Sequence, residues 1–331
     1  MIRRGAALLI ATVAAASPVL ACAPAPRSGE QVAIVEESAV IQWDPATKTE
    51  HFIRRATFKG KAHDFGFLVP TPAAPTLAEV NDGIFDQLEA KTARRTIHRT
   101  TAKIDWTPLV LLWSYKGDGM MMTTARPPVE VLSTQKLAGY EAVVLDATDA
   151  KALNDWLTAH EYATTPDLAA WLDAYVKQGW KITAFKIDKS QSEAARTAAV
   201  KMSFTTERPF FPYREPASQR ENVPYGAVRS LRIFFLGPER VTGTIGANTF
   251  WPGVLTWSDR VDANTRLTAF VDTSSVRPGT DDLFFSRAAV QSAFIPPPWV
   301  EEDVHTTHLP LDVIVAVLVV VSIVLIRRSR V

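Results

Sequence analysis

Ser133-Thr134-Gln135-Lys136 is the short stretch whose residue types and spacing could do chemistry most directly. It matches Ser-x-x-Lys, in which a serine attacks an acyl group and a nearby lysine assists its deprotonation, as in penicillin-recognising enzymes. The Lys-Thr-Gly and Ser-Asp-Asn motifs that complete such a site are absent, and Ser258-Asp259-Arg260 is only a partial match. Because Ser-x-x-Lys is also expected by chance in a chain of this composition, it does not define a catalytic site.

Histidines and carboxylates near the C-terminus form the second candidate. His305 and His308 follow Glu301, Glu302 and Asp303, and these are ligand types that zinc or copper accepts. The alternative is a solvated polar stalk, which would hold no rigid partners to orient the ligands. We therefore assign no metal site here.

Motifs of larger catalytic and cofactor families are also missing from the sequence. There is no His-Glu-x-x-His, Gly-x-Ser-x-Gly, Walker or dinucleotide-binding glycine pattern, and the chain has 1 cysteine. We expect no catalytic residues, no cofactor and no bound metal, and we favour a non-enzymatic role.

The charge balance excludes one class of partner. The net charge is +1, whereas a nucleic-acid-binding domain normally needs a basic face to neutralise phosphates. The basic segment Lys91–Lys103 is interpreted as a solvated helix end and loop, with contact to anionic lipid headgroups as the alternative. No nucleic-acid partner is expected.

Regular elements that would position any site are predicted along the middle of the chain. Gln31–Trp43 and Glu50–Phe58 read as a β-hairpin around a turn at Asp44-Pro45, and Asp64–Val69 reads as a third strand. A Thr76-x-x-Glu79 capping box predicts a helix over 77–92.

The second part alternates helices and strands. A helix capped by Thr148 and a helix from Thr165-Pro166 to Gly179 are predicted, the latter with Thr as N-cap and Pro at its first position. Five further strands are expected, at 180–187, 200–206, 230–236, 253–257 and 266–271. The fold class is therefore α+β, a largely antiparallel β-sheet domain with a few packed helices.

The N-terminus predicts export. Residues 1–21 have the layout of a signal peptide: basic Arg3-Arg4, an apolar run Ala6–Ala16 and small residues before a cleavage point. Cys22 then has two interpretations, a lipidated cysteine as in bacterial lipoproteins or the first residue after ordinary cleavage. Val19 and Leu20 fit the lipoprotein pattern poorly.

The C-terminus predicts a membrane anchor. An apolar segment over 309–326 reads as a transmembrane helix, and the arginines of 327–331 read as a cytoplasmic tail. Residues 301–308 would then be a juxtamembrane stalk. These features predict a single-pass protein of the cell membrane with the bulk of its chain extracytoplasmic.

Several motifs together resemble a known family. They are Trp43-Asp44-Pro45, Asp64–Pro72, Ala152–Leu157 with Tyr162, and Tyr175-Val176 before Gly179-Trp180. In combination they resemble exported bacterial proteins grouped as domain of unknown function 2330. That family usually has Asn-Gly-Tyr where this chain has His160-Glu161-Tyr162. The resemblance implies a signal peptide and often a C-terminal span, but no activity and no catalytic residues.

The sequence as a whole leads to a binding hypothesis. Residues 22–300 are interpreted as one extracytoplasmic α+β domain, with a division near 140 left open. We expect it to bind an unidentified envelope partner, and a cell-envelope hydrolase or a subunit of a membrane complex are the alternatives.

Overall fold

The computed structural model describes residues 24–26, 32–60, 65–105, 140–147, 149–162, 164–187, 194–217, 229–308 and 311–329. The chain divides into two compact units: unit 1 is Met1–Ala93 with Thr134–Pro296, and unit 2 is Arg94–Ser133 with Pro297–Val331. The boundaries therefore fall beside residues 93, 133 and 296, and both sides of residue 140 belong to unit 1.

An eight-stranded sheet is the largest element of unit 1. Its strands in spatial order are β14 (Val254–Arg260), β15 (Arg266–Asp272), β12 (Ser230–Gly237), β2 (Val32–Asp44), β3 (Thr49–Gly60), β10 (Val200–Thr205) and β5 (Thr76–Glu79), with β9 (Ala194–Arg196) also on β3. All neighbours are antiparallel except β12 and β2, which are parallel. The predicted hairpin is confirmed as β2 and β3.

Unit 1 also contains two smaller antiparallel sheets. The four-stranded sheet has the order β1 (Pro24–Pro26), β4 (Phe65–Thr71), β8 (Lys181–Ile187) and β7 (Tyr140–Leu145). The three-stranded sheet has the order β11 (Phe210–Phe211), β16 (Leu283–Arg287) and β13 (Val241–Ile245). One buried aromatic-rich cluster joins all three sheets, with Phe52, Phe185, Phe211 and Phe235 among its members.

Three helices of unit 1 cover sheet faces: α1 (Gly83–Thr92), α2 (Ala150–Ala159) and α3 (Pro166–Val176). Helices α2 and α3 pack on β4 and β8 through a cluster that includes Leu157, Leu172 and Leu68. Helix α1 packs on the large sheet, where Phe85 meets Val40 and Phe234. The face of the large sheet under α1 is called the α1 face below.

The predicted start of α1 is wrong. Thr76–Glu79 is strand β5, in which Leu77 pairs with Met202 of β10. The helix begins only after Asn81, whose Oδ1 accepts the Gly83 N–H at 2.8 Å. Pairing with β10 satisfies the backbone along this segment, and it overrides the local match to a capping box.

The ends of α3 are as predicted. Thr165 Oγ1 accepts the N–H of Leu168 at 3.1 Å, and Pro166 takes the first helical position. Gly179 follows the helix with φ +72°, a left-handed conformation that glycine adopts without strain. For α2 the N-cap is Asp149, which accepts the Ala152 N–H at 2.9 Å; the predicted cap, Thr148, lies outside the described residues.

The described part of unit 2 forms a parallel two-stranded ribbon and one helix. The ribbon pairs β6 (Thr96–Asp105) with β17 (Trp299–His308), and the helix is α4 (Leu311–Arg328). The Arg94 guanidinium stacks on Trp299, with 3.7 Å between its central carbon and the ring centroid. Residues 301–308, expected as a stalk, are thus part of a strand, and much of the basic segment Lys91–Lys103 forms its partner β6.

The prediction of a transmembrane helix over 309–326 is wrong. No helix within the described residues is long and apolar enough to cross a membrane. Helix α4 has 18 residues, with Asp312 in its first turn and Arg327 and Arg328 in its last. The uncharged run Val313–Ile326 between them rises only about 21 Å, against a hydrocarbon core of about 30 Å.

The fold class is corrected accordingly. The described residues form a mixed fold with mostly antiparallel sheets and four helices, without the membrane helix. The prediction of a single-pass membrane protein required that helix and is therefore wrong as well. Residues 301–308 lie in β17. The cytoplasmic tail at 327–331 and the membrane as a partner stay predictions that no observation tests.

Candidate functional site

Three turns of unit 1 meet at one end of the eight-stranded sheet. Strands β2, β12 and β14 run in the same direction, because β12 is parallel to β2 and β14 is related to β12 through the antiparallel strand β15. The turns that follow these strands therefore lie at the same end of the sheet, where the three strands have their C-termini. Loops carried on a rigid sheet are frequent positions for binding residues.

These turns line an open groove of about 570 Å³, called the turn groove below. Its lining comes from the β2–β3 hairpin, the turn after β12 and the turn after β14: Gln42, Trp43, Asp44, Pro45, His51, Leu236, Gly237, Pro238, Val261, Asp262, Asn264 and Thr265. The volume lies within the range of about 300–1,000 Å³ that is usual for ligand sites.

The hairpin turn fixes the first carboxylate of the groove. Asp44 Oδ2 accepts the Thr47 hydroxyl at 2.8 Å, and its Oδ1 accepts the Ala46 N–H at 2.9 Å. The hydrogen bond from the Thr47 side chain, with that from the Ala46 backbone, lowers the pKa of Asp44 below its ordinary value. This carboxylate is therefore ionised and oriented before any ligand arrives.

The turn after β14 fixes a second carboxylate in the same way. Asp262 Oδ1 accepts the N–H groups of Asn264 and Thr265, each at 2.8 Å. The hydrogen bond from the Asn264 backbone leads the causes that lower the pKa of Asp262. The groove thus carries two permanent negative charges, and its lining contains neither lysine nor arginine.

The walls of the groove are apolar and aromatic. Trp43 is half-buried and packs against the aromatic-rich cluster that joins the three sheets, so that the core fixes its position. Pro45, Leu236, Pro238 and Val261 supply the remaining apolar surface. An aromatic face beside fixed carboxylates attracts cations through both its ring quadrupole and the neighbouring charge.

His51 links the groove to the sheet. Its Nδ1 lies 2.8 Å from Ser203 Oγ, and the two residues are direct partners in the β3–β10 register. Ser203 is not part of the groove lining, and within the described residues no side chain pairs with the other ring nitrogen of His51. The contact therefore bridges two strands and lacks the third group that orients a catalytic histidine.

The motif-based candidates lie elsewhere. Ser133, Lys136 and Cys22 fall outside the described residues. Glu301, Glu302 and Asp303 are exposed on β17, where His98 Nδ1 lies 3.4 Å from Glu301 Oε2 and 3.5 Å from Asp303 Oδ2. His305 and His308 belong to the same strand, but their side chains are outside the described set.

In the part of the chain that the structure describes, no group of three or more His, Cys, Asp or Glu is placed to hold a metal ion. Two carboxylates, the Trp43 ring and the polar and apolar groups beside them converge on the turn groove. The sequence identifies Asp44-Pro45 only as a turn signal. Its place in the groove depends on two other turns, which no local signal reveals.

Comparison with known protein families identifies a match. A family model described as an uncharacterized protein conserved in bacteria (DUF2330) matches residues 15–265, and no curated protein matches the chain. The matched range contains the whole lining of the turn groove, from Gln42 to Thr265. Because this match spans well over half of the 331 residues, the chain belongs to the DUF2330 family, as its motifs predicted.

Proposed function

We propose that the protein is a non-catalytic binding protein of the bacterial envelope and that its ligand occupies the turn groove. The observation that carries this proposal is the pair of hydrogen-bonded carboxylates, Asp44 and Asp262, beside a core-anchored Trp43. The lining contains neither lysine nor arginine, and the basic groups that act on these carboxylates are His51 at Asp44 and Arg260 at Asp262. The groove therefore favours a ligand that is positively charged and partly apolar, such as a peptide segment with lysine or arginine.

The carboxylates of Asp44 and Asp262 are exposed to water, and the high dielectric constant of water limits the energy of each ion pair with a ligand. An ion pair at about 4 Å in a watery site contributes about 1 kcal/mol, which is about fivefold in affinity. Two such contacts, with stacking on Trp43, produce weak to moderate binding that falls as salt is added. Binding of this kind suits recognition and does not require a reactive group.

Calorimetry with two matched peptides tests the proposal. Acetyl-Lys-Leu-Lys-amide should bind, and acetyl-Glu-Leu-Glu-amide, which has the opposite charge, should not. Asp44→Asn and Asp262→Asn should each weaken binding about fivefold, because Asn keeps the backbone N–H bonds to Oδ1 and removes the charge. In Asp44→Asn the side-chain amide donates to the Thr47 hydroxyl, whereas the carboxylate of Asp44 accepts from it. Trp43→Leu should weaken it further.

The matched control is Asp155→Asn. Asp155 is an exposed carboxylate on α2 that pairs with Lys151 at 2.6 Å, outside the turn groove. It should leave binding unchanged. Equal binding of the two peptides, or equal loss in Asp155→Asn and Asp44→Asn, would contradict the proposal.

A further inference from the structure

A second pocket of about 310 Å³ lies on the α1 face of the same sheet, called the arginine pocket below. It is lined by residues near the start of β2, by β3 and β12, and by Glu89 of α1. It shares no lining residue with the turn groove. Its chemistry differs, because it contains guanidinium groups and carboxylates together.

The strand register places the two arginines. Ser38 of β2 pairs with Arg55 of β3 on one side and with Arg232 of β12 on the other. The three side chains form one row across adjacent strands, so that the two arginine backbones are about 10 Å apart with a serine hydroxyl between them. This spacing leaves room for a small oxyanion held by both guanidinium groups.

Glu89 now occupies the position between them. Its Oε1 lies 3.4 Å from Arg55 Nη2 and 3.1 Å from Arg232 Nη1. Arg55 also reaches Asp86 Oδ1, again at 3.4 Å. These distances are longer than the 2.7–2.9 Å of a strong charge-assisted hydrogen bond. A ligand carboxylate with better geometry can therefore replace Glu89.

The neighbouring row presents the opposite charge. Glu36 pairs with Thr57 of β3 and Ser230 of β12, so it lies beside the arginine row on the same face. Its side chain is exposed, and no described residue forms an ion pair or hydrogen bond with it. A simple anion would be repelled by Glu36, and a simple cation would be repelled by Arg55 and Arg232.

We propose that the arginine pocket binds a small zwitterion, the free form of an amino acid or dipeptide. Its carboxylate contacts Arg55 and Arg232 in place of Glu89, and its ammonium group contacts Glu36. The pocket volume lies at the lower end for ligand sites and suits a molecule of this size. This site is independent of the proposed function, because it shares no residue with the turn groove.

Calorimetry on the full chain with Gly-Gly, Ala-Ala and Glu-Lys tests the proposal, with acetylated and amidated forms of each as controls. At least one unblocked dipeptide should bind, and blocking either of its termini should weaken binding at least tenfold. No binding by any of the three at about 10 mM, or equal binding of blocked and unblocked forms, would overturn it. The doubly blocked peptides used for the turn groove lack both termini, so the two sites are tested separately.

Variants separate binding from a structural role. Arg232→Met and Glu36→Gln should each weaken dipeptide binding tenfold or more. Glu89→Gln should strengthen it severalfold, because it removes the competing charge, and a purely structural pairing would not produce this gain. Arg287→Met is the control, since Arg287 pairs with Glu239 at 3.2 Å on an exposed surface. Unchanged binding in Arg232→Met, or weaker binding in Glu89→Gln, would overturn the proposal.

Discussion

Asp282 shows at the residue scale how burial changes the chemistry of a single carboxyl group. Its Oδ1 accepts the Tyr175 hydroxyl at 2.8 Å and the Arg214 N–H at 3.2 Å, and the residue is almost fully buried. Burial has the largest effect and raises its pKa from 3.8 to about 6. The two hydrogen bonds and the positive charge of Arg214 act in the opposite direction and lower the pKa. Asp281 beside it adds to the increase.

This shift predicts a pH dependence of stability. Below about pH 4, Asp282 is protonated in both the folded and the unfolded chain; between about pH 4 and 6 only the unfolded chain ionises. The folded state is therefore destabilised as pH rises through this window, by on the order of 3 kcal/mol. Asp282→Asn removes this loss, so its free energy of unfolding relative to wild type should increase from pH 4 to pH 6.

Urea unfolding at pH 4, 5, 6 and 7 measures the difference. Glu50, whose pKa burial also raises, is present in both proteins and cancels in the comparison. The control is Asp155→Asn, which changes an exposed carboxylate on α2. Parallel pH profiles for wild type and Asp282→Asn would contradict the interpretation.

At the element scale, the end of α2 explains a departure from the family pattern. The Tyr162 N–H bonds to Leu157 O at 2.9 Å and the Glu161 N–H to Thr158 O at 3.1 Å, which is the Schellman arrangement. It requires a left-handed residue between them, and Glu161 has φ +64°. The Asn-Gly-Tyr pattern that the motif resemblance implies would place glycine at this position, and this chain forms the turn with Glu161, a residue that is strained in it.

Glu161→Gly should therefore stabilise the protein. The left-handed conformation costs a non-glycine residue about 1–2 kcal/mol, and the greater flexibility of unfolded glycine offsets about half of that gain. The exposed pair between Glu161 and Lys186, at 3.2 Å, contributes little. We expect the free energy of unfolding to rise by about 0.5–1 kcal/mol.

A neighbouring substitution is the control. His160 has φ −102°, so His160→Gly gains no strain relief and should destabilise the protein. Urea unfolding of the two variants should give changes of opposite sign. Destabilisation by Glu161→Gly would show that its side-chain contacts outweigh the backbone strain.

Sequence patterns predicted the helices and strands correctly where contacts between residues close in sequence determine the structure. The β2–β3 hairpin and the caps of α3 depend on residues close in sequence, and both were found where expected. The segment Thr76–Glu79 was assigned wrongly because its partner, β10, lies far along the chain. Strand β17 was not predicted for the same reason, because its partner β6 is also distant in sequence. The turn groove depends on two such distant pairings, β12 with β2 and β12 with β15, and could not be predicted from one sequence.

At the scale of the whole molecule, the family match and the two units give different boundaries. The match ends at residue 265, whereas the second segment of unit 1 continues to Pro296 and unit 2 contains the C-terminal helix. Both candidate pockets lie in unit 1 and inside the matched range. The binding role is therefore proposed for unit 1 alone.

Export is the second proposal at this scale. Residues 1–21 lie outside the described residues, and the proposal rests on their signal-like composition. Mass spectrometry of the protein isolated after expression in a bacterium should find a chain that begins at Cys22. The same mass distinguishes a free from a lipidated Cys22, and a chain that retains Met1 would contradict export.

The position of the bound ligand tests the central claim most directly. Hydrogen exchange can be compared with and without acetyl-Lys-Leu-Lys-amide, because a ligand in the turn groove slows exchange in the loops that it contacts. We expect protection of residues 42–51, 236–238 and 261–265 together, with α2 and α3 unchanged. Protection confined to other segments would contradict binding in the turn groove, and so would the absence of any change under saturating peptide.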